Sequence, residues 1–329
     1  MPYVYIIAGL ALLYFGAGRI VNTGTKLALL LGVKPMFIAL TIVAFGTSVP
    51  ELLVSVDSAI KGSGDLAVGN VVGSNICNIA LILGLSAVIH PVRVSRQLFR
   101  FEIPLAIFAA LLTWLFLNDK VIALWEALTF LALFAGYVAI SIVTAKRGSE
   151  NLAADTKAAG GSCVKDVESG KSAKRDSPVK LVVFIIIDLA ILILGADLLV
   201  RGAVALAQSW GVNEAVIGLT IVAVGTSTPE LAMTIIAALR KHCDFAIGNI
   251  VGSSIFNTLC ILGAAGTIRP ITAGSIMPRD TLLMLAVTVS LLIALLTKRV
   301  IPRWAGAALF LTYATYIVVL CKEAVAGKS

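Results

Sequence analysis

Apolar residues occur along this chain in runs of about 20, the length that a helix needs to cross a bilayer. Only one long polar stretch, residues 146–180, interrupts the pattern, and it is predicted to be a flexible linker because it is rich in Lys, Ser, Gly and Asp. The pattern therefore predicts an all-α polytopic membrane protein with two five-helix halves, residues 1–145 and 181–329. The ten runs lie near residues 3–22, 36–60, 66–89, 99–117, 121–145, 180–202, 214–239, 245–268, 279–297 and 302–321.

Composition supports this assignment and indicates an orientation. Of the 329 residues 59% are hydrophobic and 13% charged, so no soluble core could bury the apolar surface. The net charge of +8 is assigned to basic loops rather than to a nucleic-acid surface. Because the linker holds eight Lys and Arg residues, it is predicted to be cytoplasmic, with the N-terminus outside a plasma-membrane protein.

An internal repeat is the strongest signal in the sequence. Residues 38–84 align with residues 217–263 without a gap, at a constant offset of 179, and 25 of the 47 positions are identical. Each half contains an odd number of apolar runs, so the two copies are predicted to face opposite sides of the membrane. Inverted repeats with interrupted spans are typical of secondary transporters, whose substrate sites lie near the bilayer midplane.

Each copy of the repeat places a proline and a glutamate inside an apolar run, in GTSVPE and in GTSTPE. Pro50 and Pro229 remove a backbone donor and loosen the preceding turn; either proline alone is explained by an ordinary helix kink. Glu51 and Glu230 are costly at the bilayer centre, where such charges usually mark an ion or proton path. The hydroxyls that share their helix faces complete an all-oxygen environment, which hard cations prefer, and they belong to Thr47, Ser48, Thr226 and Ser227.

The next run of each copy adds a polar face, in GNVVGSNICN (69–78) and GNIVGSSIFN (248–257). Its amides and hydroxyls could be polar contacts between helices, but their occurrence beside the glutamate motif in both copies favours an ion site. The GxxxG glycines are predicted to allow close helix packing. The polar positions, spaced by four residues, are Asn70, Ser74 and Asn78 in the first copy and Asn249, Ser253 and Asn257 in the second.

These paired motifs resemble those of the cation/calcium exchanger superfamily, and the chain looks like its compact prokaryotic sodium/calcium exchangers. The resemblance covers essentially the whole chain. It implies the sodium/calcium exchanger fold, with about ten helices in two inverted repeats. Since the pseudo-symmetry is internal, a functional monomer is expected, with Ca²⁺, Na⁺ and the lipid bilayer as its partners.

The resemblance also implies a four-part ion site at the midplane. Glu51 and Glu230 are the implied central Ca²⁺ ligands, and Asn78 and Asn257 complete the centre. Some prokaryotic relatives carry Asp at one of these two Asn positions, so the site here has two carboxylates rather than three. The other implied ligands are the carbonyls of Thr47 and Thr226 for Ca²⁺ and, for flanking Na⁺ sites, Ser48, Ser74, Ser227, Ser253 and the carbonyls of Ala44 and Ala223.

Exchange of Ca²⁺ for Na⁺ by alternating access is the function that the resemblance implies first. Ca²⁺/H⁺ antiport is the alternative, although exchangers associated with protons more often show Asn where this chain has Thr-Ser. A Ca²⁺ channel is a third possibility, but channels usually gain their pore from oligomer symmetry. No enzyme activity and no cofactor are expected, because the sequence contains only two histidines, no HExxH, and no paired nucleophile and base.

Overall fold

The computed structural model describes residues 2–158, 177–211, 221, 223–274, 276–293 and 299–326. Helices dominate these residues, and four two-residue strands lie between them. The helices are α1 (Pro2–Leu30), α2 (Pro35–Thr47), α3 (Val49–Ile60), α4 (Gly64–Ile89), α5 (Leu98–Asp119), α6 (Leu124–Ala158), α7 (Pro178–Ser209), α8 (Ala223–Gly225), α9 (Thr228–Leu239), α10 (Cys243–Ile268), α11 (Pro278–Ser290) and α12 (Arg303–Ala326).

Seven of the described helices are long and apolar enough to cross a membrane, which confirms a helical, multi-span membrane protein. The pair α2 and α3 qualifies in addition as one broken span. The predicted runs 214–239 and 279–297 extend into residues outside the described part, so the count of ten spans stays a prediction.

The proline of the first motif explains the break between α2 and α3. The two helices are bent by 45° across Ser48, whose backbone leaves the helical range at φ −86° and ψ 8°. Pro50 has no N–H to donate to the carbonyl of Gly46, so the helix cannot continue with regular bonding. Ser227, two residues before Pro229, adopts nearly the same backbone angles, so the second motif is broken in the same way.

The repeat seen in the sequence returns element by element in the structure. Helix α9 begins at Thr228, 179 residues after α3 begins at Val49, and α10 begins 179 residues after α4. Each of these two long helices widens into a π-helical segment at corresponding places, Cys77–Leu83 and Phe256–Leu262. The two halves therefore share a local backbone course as well as a sequence motif.

Helices α4 and α10 form the centre of the protein. They are the most buried of the long helices, and they pack on each other and on the broken helices α2, α3 and α9. Each is also covered by the last helix of the opposite half, α12 on α4 and α6 on α10. Polar residues of α4 and α10 are thus held away from lipid, between the two broken spans.

The short strands join the two halves at the ends of the helices. Strand β1 (Val92–Arg93) pairs antiparallel with β4 (Val300–Ile301), and β2 (Val121–Ile122) pairs in the same way with β3 (Ile271–Thr272). Every pair contains one strand from each half, so backbone hydrogen bonds as well as side-chain packing connect the repeats.

Helices α1 and α7, one from each half, form a closely packed antiparallel pair beside this core. A Cβ atom added to Gly9 would lie 2.7 Å from the carbonyl oxygen of Gly195, so the two backbones meet where only glycine fits. Arg19 of α1 forms a salt bridge with the fully buried Asp188 of α7, with a distance of 2.7 Å between Nε and Oδ1. Close packing and this ion pair hold α1 and α7 together.

The predicted linker differs from the structure at its start. Helix α6 continues to Ala158, through residues 146–158, which the sequence assigned to a flexible segment. Ala, Glu, Leu and Lys there are good helix formers, and a helix that extends beyond the membrane needs no apolar face to begin. The remainder of the prediction, residues 159–176, lies outside the described residues.

Replacement of residues 149–177 by a short Gly/Ser segment is expected to leave transport within about twofold of the parent protein, because the segment is polar and contains no calcium-loop spacing such as DxDxDG. Ion flux in proteoliposomes is the measurement. A second variant that replaces only residues 159–176 keeps the whole of α6 and is the matched control. Loss of flux in the folded 149–177 variant would contradict the prediction, and normal flux in the control would then assign the loss to the end of α6.

Candidate functional site: two facing carboxylates

Two reciprocal hydrogen bonds join the broken spans at the centre of the protein. The hydroxyl of Ser48 donates to Oε1 of Glu230 at 2.9 Å, and the hydroxyl of Ser227 donates to Oε1 of Glu51 at 2.9 Å. All four residues are fully buried. Each motif therefore supplies the donor for the carboxylate of the other motif, and the two glutamates are brought to one place.

The second oxygen of each carboxylate has no partner among the described residues. Oε2 of Glu51 and Oε2 of Glu230 are both buried without a hydrogen bond. Neither glutamate forms a salt bridge with a described Lys or Arg. Two buried carboxylates that face each other without a positive charge repel and pay a desolvation cost, so this arrangement needs a bound cation or protons to compensate the charge.

Further hydroxyls surround the pair. Thr226 is close enough to Glu51 to interact with its carboxylate, and Thr47 and Ser253 are close enough to Glu230. The hydroxyls of Thr226, Ser253 and Ser74 make no standard hydrogen bond with a described residue. Their lone pairs are therefore free for another ligand.

Two side-chain amides lie on the central helices with no described hydrogen-bond partner. Asn78 and Asn257 are fully buried, and neither the oxygen nor the nitrogen of either amide is bonded. Native structures rarely leave such groups unpaired, and the exceptions usually mark a bound ion, water or a functional site. Each asparagine is the second residue of the π-helical segment of its helix, and π-helical segments are frequent at functional sites.

The carbonyl of Ala44, one of the implied Na⁺ ligands, already accepts hydrogen bonds within the protein. These come from the N–H of Ser48 at 3.1 Å and from the hydroxyl of Thr47 at 3.3 Å. The sequence predicted a loosened turn around Ala44, but the turn before Ser48 retains its regular backbone hydrogen bond. Its counterpart Ala223 begins the short helix α8.

Asn70 and Asn249 support the broken helices rather than the carboxylates. The amide of Asn70 donates to the backbone carbonyl of Glu51 at 3.1 Å and to the hydroxyl of Ser55 at 2.9 Å. Asn249 donates to the hydroxyl of Thr234, the position that corresponds to Ser55, at 3.4 Å. The presence of Asn at this position in both copies was the only sequence signal for this supporting contact.

Cys77 is a site neighbour that the sequence did not indicate. Its thiol interacts with Ser227 and lies within electrostatic range of both glutamates. The corresponding residue of the second copy is Phe256, so the repeat offered no signal for it.

Oxygen atoms dominate this site. Two carboxylates and several hydroxyls meet here, and two unbonded amides lie on the central helices. Oxygen ligands of these kinds are the ones that Ca²⁺ and Na⁺ prefer. Within the described ranges, no group of three or more His, Cys, Asp and Glu residues could hold a metal ion. Neutral oxygens therefore have to supply much of any coordination shell.

Comparison with known proteins gives matches along almost the whole chain. The family model described as "Sodium/calcium exchanger protein" matches residues 1–143 and 180–322. The inner membrane protein YrbG of Escherichia coli is 34% identical over 91% of this chain and 89% of its own length. The sodium/calcium exchanger MaX1 of Methanosarcina acetivorans is 31% identical over 97% of this chain and 98% of its own length.

A solved structure matches the fold. The sodium-calcium exchanger NCX_Mj, in crystals soaked with 10 mM Na⁺ and 10 mM Sr²⁺, superimposes with a TM-score of 0.79 and is 28% identical in sequence. The match covers 96% of this chain and 97% of that one. The likeness thus extends over both halves of the protein.

Proposed function

We propose, because this chain belongs to the sodium/calcium exchanger family, that it exchanges Ca²⁺ for Na⁺ across the membrane by alternating access. As a member of this family it is a cation antiporter of the exchanger type. The transported ions, their coupling and the mechanism are what we propose. Glu51 and Glu230 are its central Ca²⁺ ligands, and the surrounding hydroxyls and amides complete overlapping sites for Ca²⁺ and Na⁺.

The reciprocal bonding of the two carboxylates is the observation that carries this proposal. Each glutamate has one oxygen held by a serine of the opposite motif and one oxygen left open. The serine bonds fix the directions of the open oxygens. Two fixed negative charges with open lone pairs can replace part of the hydration shell of one Ca²⁺ or of a small group of Na⁺ ions.

The hydroxyls of the two motifs favour Na⁺ over H⁺ as the coupling ion. Ser48 and Ser227 each hold one oxygen of the opposite glutamate, and Thr47 and Thr226 lie within reach of the carboxylates. Neutral oxygens of this kind are ligands that Na⁺ accepts, and exchangers associated with protons more often show Asn where this chain has Thr-Ser. Ca²⁺/H⁺ antiport, with Glu51 and Glu230 protonated in exchange, is the alternative.

Alternating access is supported by the enclosure of the site and by the repeat. Both carboxylates and both serines are closed off from solvent, so ions can enter or leave only after the surrounding helices move. Two broken spans related by the 179-residue repeat provide the symmetric framework for such a movement. We propose an inverted orientation of the repeats, an external N-terminus, a cytoplasmic linker, residence in the plasma membrane and function as a monomer.

The decisive test is Ca²⁺ uptake into proteoliposomes. An outward Na⁺ gradient at equal pH is expected to drive uptake, and an outward H⁺ gradient without Na⁺ is not. Uptake driven by the pH gradient alone would replace Na⁺ with H⁺ in the proposal. Uptake that needs neither gradient and dissipates with the membrane potential would favour a channel.

Na⁺-driven Ca²⁺ flux is expected to be independent of K⁺. Among the described residues of the proposed site, Glu51 and Glu230 are the carboxylates, and Asn78 and Asn257 add dipoles but no net charge. A third carboxylate that could hold K⁺ together with Ca²⁺ is therefore not expected. Flux is measured with choline in place of K⁺ on both sides and with the membrane potential clamped.

The variant Asn257→Asp tests the reason for this expectation. An added carboxylate at the centre is expected to make flux respond to K⁺. The variant Asn78→Asp, at the corresponding position of the first copy, tests whether a carboxylate in that half has the same effect. Collapse of flux in the parent protein when K⁺ is removed would contradict the prediction.

A further inference from the structure

A cysteine and a histidine meet at one end of the central helix pair, outside the carboxylate site. Sγ of Cys243, the first residue of α10, lies 3.6 Å from Nδ1 of His90, the residue that follows α4. Cys243 is a buried thiol, and His90 is partly exposed to solvent. Because α4 belongs to the first half of the chain and α10 to the second, this contact joins the two halves.

The separation of the two atoms fits a shared tetrahedral metal ion. Zn²⁺ binds thiolate sulfur at about 2.3 Å and imidazole nitrogen at about 2.0–2.1 Å. At a tetrahedral angle these bonds place the sulfur and the nitrogen about 3.6 Å apart, which is the distance between Sγ of Cys243 and Nδ1 of His90. The carbonyl oxygen of Pro91 lies 3.1 Å from the same nitrogen, so a third atom with lone pairs is on that side of the ring.

The two helix ends favour the charges that a metal complex needs. Cys243 is at the N-terminus of α10, where the partial positive charge of the helix stabilises a thiolate. His90 follows the C-terminus of α4, where the partial negative charge attracts a cation. Lys34 and Arg93 interact electrostatically with Asp244, the residue after Cys243, so the carboxylate offsets their positive charge.

The opposite end of the core lacks this pair. By the 179-residue correspondence, Arg269 takes the place of His90, and Gly64 takes the place of Cys243. A Cβ atom on Gly64 would lie 2.2 Å from the carbonyl oxygen of Thr272, so a side chain does not fit there. The packing that the two halves share therefore does not explain why a thiol and an imidazole meet at one end.

We propose that Cys243 and His90 bind Zn²⁺, or a thiophilic divalent cation of the same class, and that the metal ties the end of α4 to the start of α10. The site goes beyond the proposed exchange of Ca²⁺ for Na⁺. Cys243 lies ten residues before Ser253 on the same helix, a separation of about 15 Å. The metal site is therefore distinct from the carboxylate pair.

Binding needs only a proton transfer to solvent and small adjustments. The thiol of Cys243 gives its proton to water, and its sulfur donates a lone pair to the metal. His90 donates the lone pair of Nδ1 and keeps its proton on Nε2. Water and the carbonyl of Pro91 fill the remaining positions. Since two side-chain ligands are fewer than the four of a structural zinc site, binding is expected to be reversible.

The sequence gave no signal for this site. His90 and Cys243 are 153 residues apart, and neither belongs to a short motif with metal-ligand spacing. Only the packing of α4 on α10 brings them together.

Zn²⁺ binding to the full-length protein in detergent tests the proposal. Zn²⁺ is titrated in competition with a chromogenic zinc indicator, and thermal unfolding is followed in parallel. Cys243→Ser and His90→Asn are each expected to lower the affinity at least about tenfold, since even residues behind the ligands of a metal site are worth about 10–100-fold. Zn²⁺ is expected to raise the unfolding midpoint of the parent protein more than that of either variant.

Co²⁺ in place of Zn²⁺ reports the ligands directly. The parent protein is expected to show thiolate-to-Co²⁺ charge-transfer absorption in the near ultraviolet and the intense visible bands of tetrahedral Co²⁺. Both features are expected to be lost in Cys243→Ser.

Three variants serve as controls and are expected to bind Zn²⁺ as the parent does. Cys260→Ser removes a thiol elsewhere on α10. His242→Asn removes the neighbouring imidazole and keeps a residue that is favoured at the N-cap of α10. Glu51→Gln removes one carboxylate of the proposed ion site, so it separates the two metal sites.

The outcomes distinguish this site from the ion site. Zn²⁺ affinity that is unchanged in Cys243→Ser and His90→Asn, or a Co²⁺ complex without the thiolate band, would leave only a thiol–imidazole hydrogen bond and overturn the proposal. Loss of binding in His242→Asn, with normal binding in His90→Asn, would overturn the assigned pair. Binding by Cys243 and His90 in protein without Na⁺-driven Ca²⁺ flux would support this site and overturn the proposed ions.

Discussion

Substitution of Gln for Glu51 or for Glu230 is expected to lower Ca²⁺ flux at least about 100-fold while the protein still folds. Loss of one charged partner from a buried binding contact costs about 2–5 kcal/mol of binding free energy, and each 1.4 kcal/mol corresponds to a factor of ten. The amide retains the shape of the side chain and can still accept the hydrogen bond from serine. The remaining single carboxylate is too little charge to replace the hydration shell of Ca²⁺.

The measurement is Na⁺-driven Ca²⁺ uptake by purified variants, with thermal unfolding in detergent as the check on folding. Glu102→Gln is the matched control, since Glu102 of α5 is also a buried carboxylic acid but accepts a hydrogen bond from Gln97, just before α5, and belongs to neither of the paired motifs. Its flux is expected to stay within about twofold of the parent. Near-normal flux in either site variant would show that the carboxylate pair is not the site.

The positions of the long helices and of their breaks could be predicted from the sequence, but the way in which the helices pack on one another could not. Apolar runs predicted the long helices because each run must satisfy its backbone bonds internally in lipid. Pro50 and Pro229 predicted the breaks for the same reason. The extension of α6 to Ala158 was missed, because hydropathy marks where a helix leaves the membrane and not where it ends.

The site shows the same division. The repeat alone pointed to Glu51 and Glu230, but it placed Ser48 with the glutamate of its own helix face. In the structure Ser48 bonds to Glu230, and Ser227 bonds to Glu51. Which motif a hydroxyl serves depends on how the two broken spans face each other, and that relation is set by tertiary packing around α4 and α10 rather than by spacing along one helix.

Gly252 is where that packing is closest to the site, and Gly252→Ala is expected to reduce both stability and flux. The sequence explained this glycine as part of a GxxxG packing motif, and the structure gives the reason. A Cβ atom there would lie 2.6 Å from the carbonyl oxygen of Leu40 and 2.9 Å from the Cβ of Ala44. These atoms belong to the backbone and short side chains of α2, so they cannot move aside as a flexible side chain would.

The added methyl must therefore push α10 away from α2. Overpacking of this kind costs about 1–3 kcal/mol, which lowers the unfolding midpoint measured in detergent. The shift also moves Ser253, the next residue, away from Glu230, and a displacement of even about 1 Å at a preorganised site can cost a large factor in activity. Flux is expected to fall about tenfold or more. Gly136→Ala adds the same methyl to a helix glycine with no described atom within 4 Å, and is expected to change neither quantity. Parent-like stability and flux in Gly252→Ala would mean that α10 and α2 do not pack at this distance.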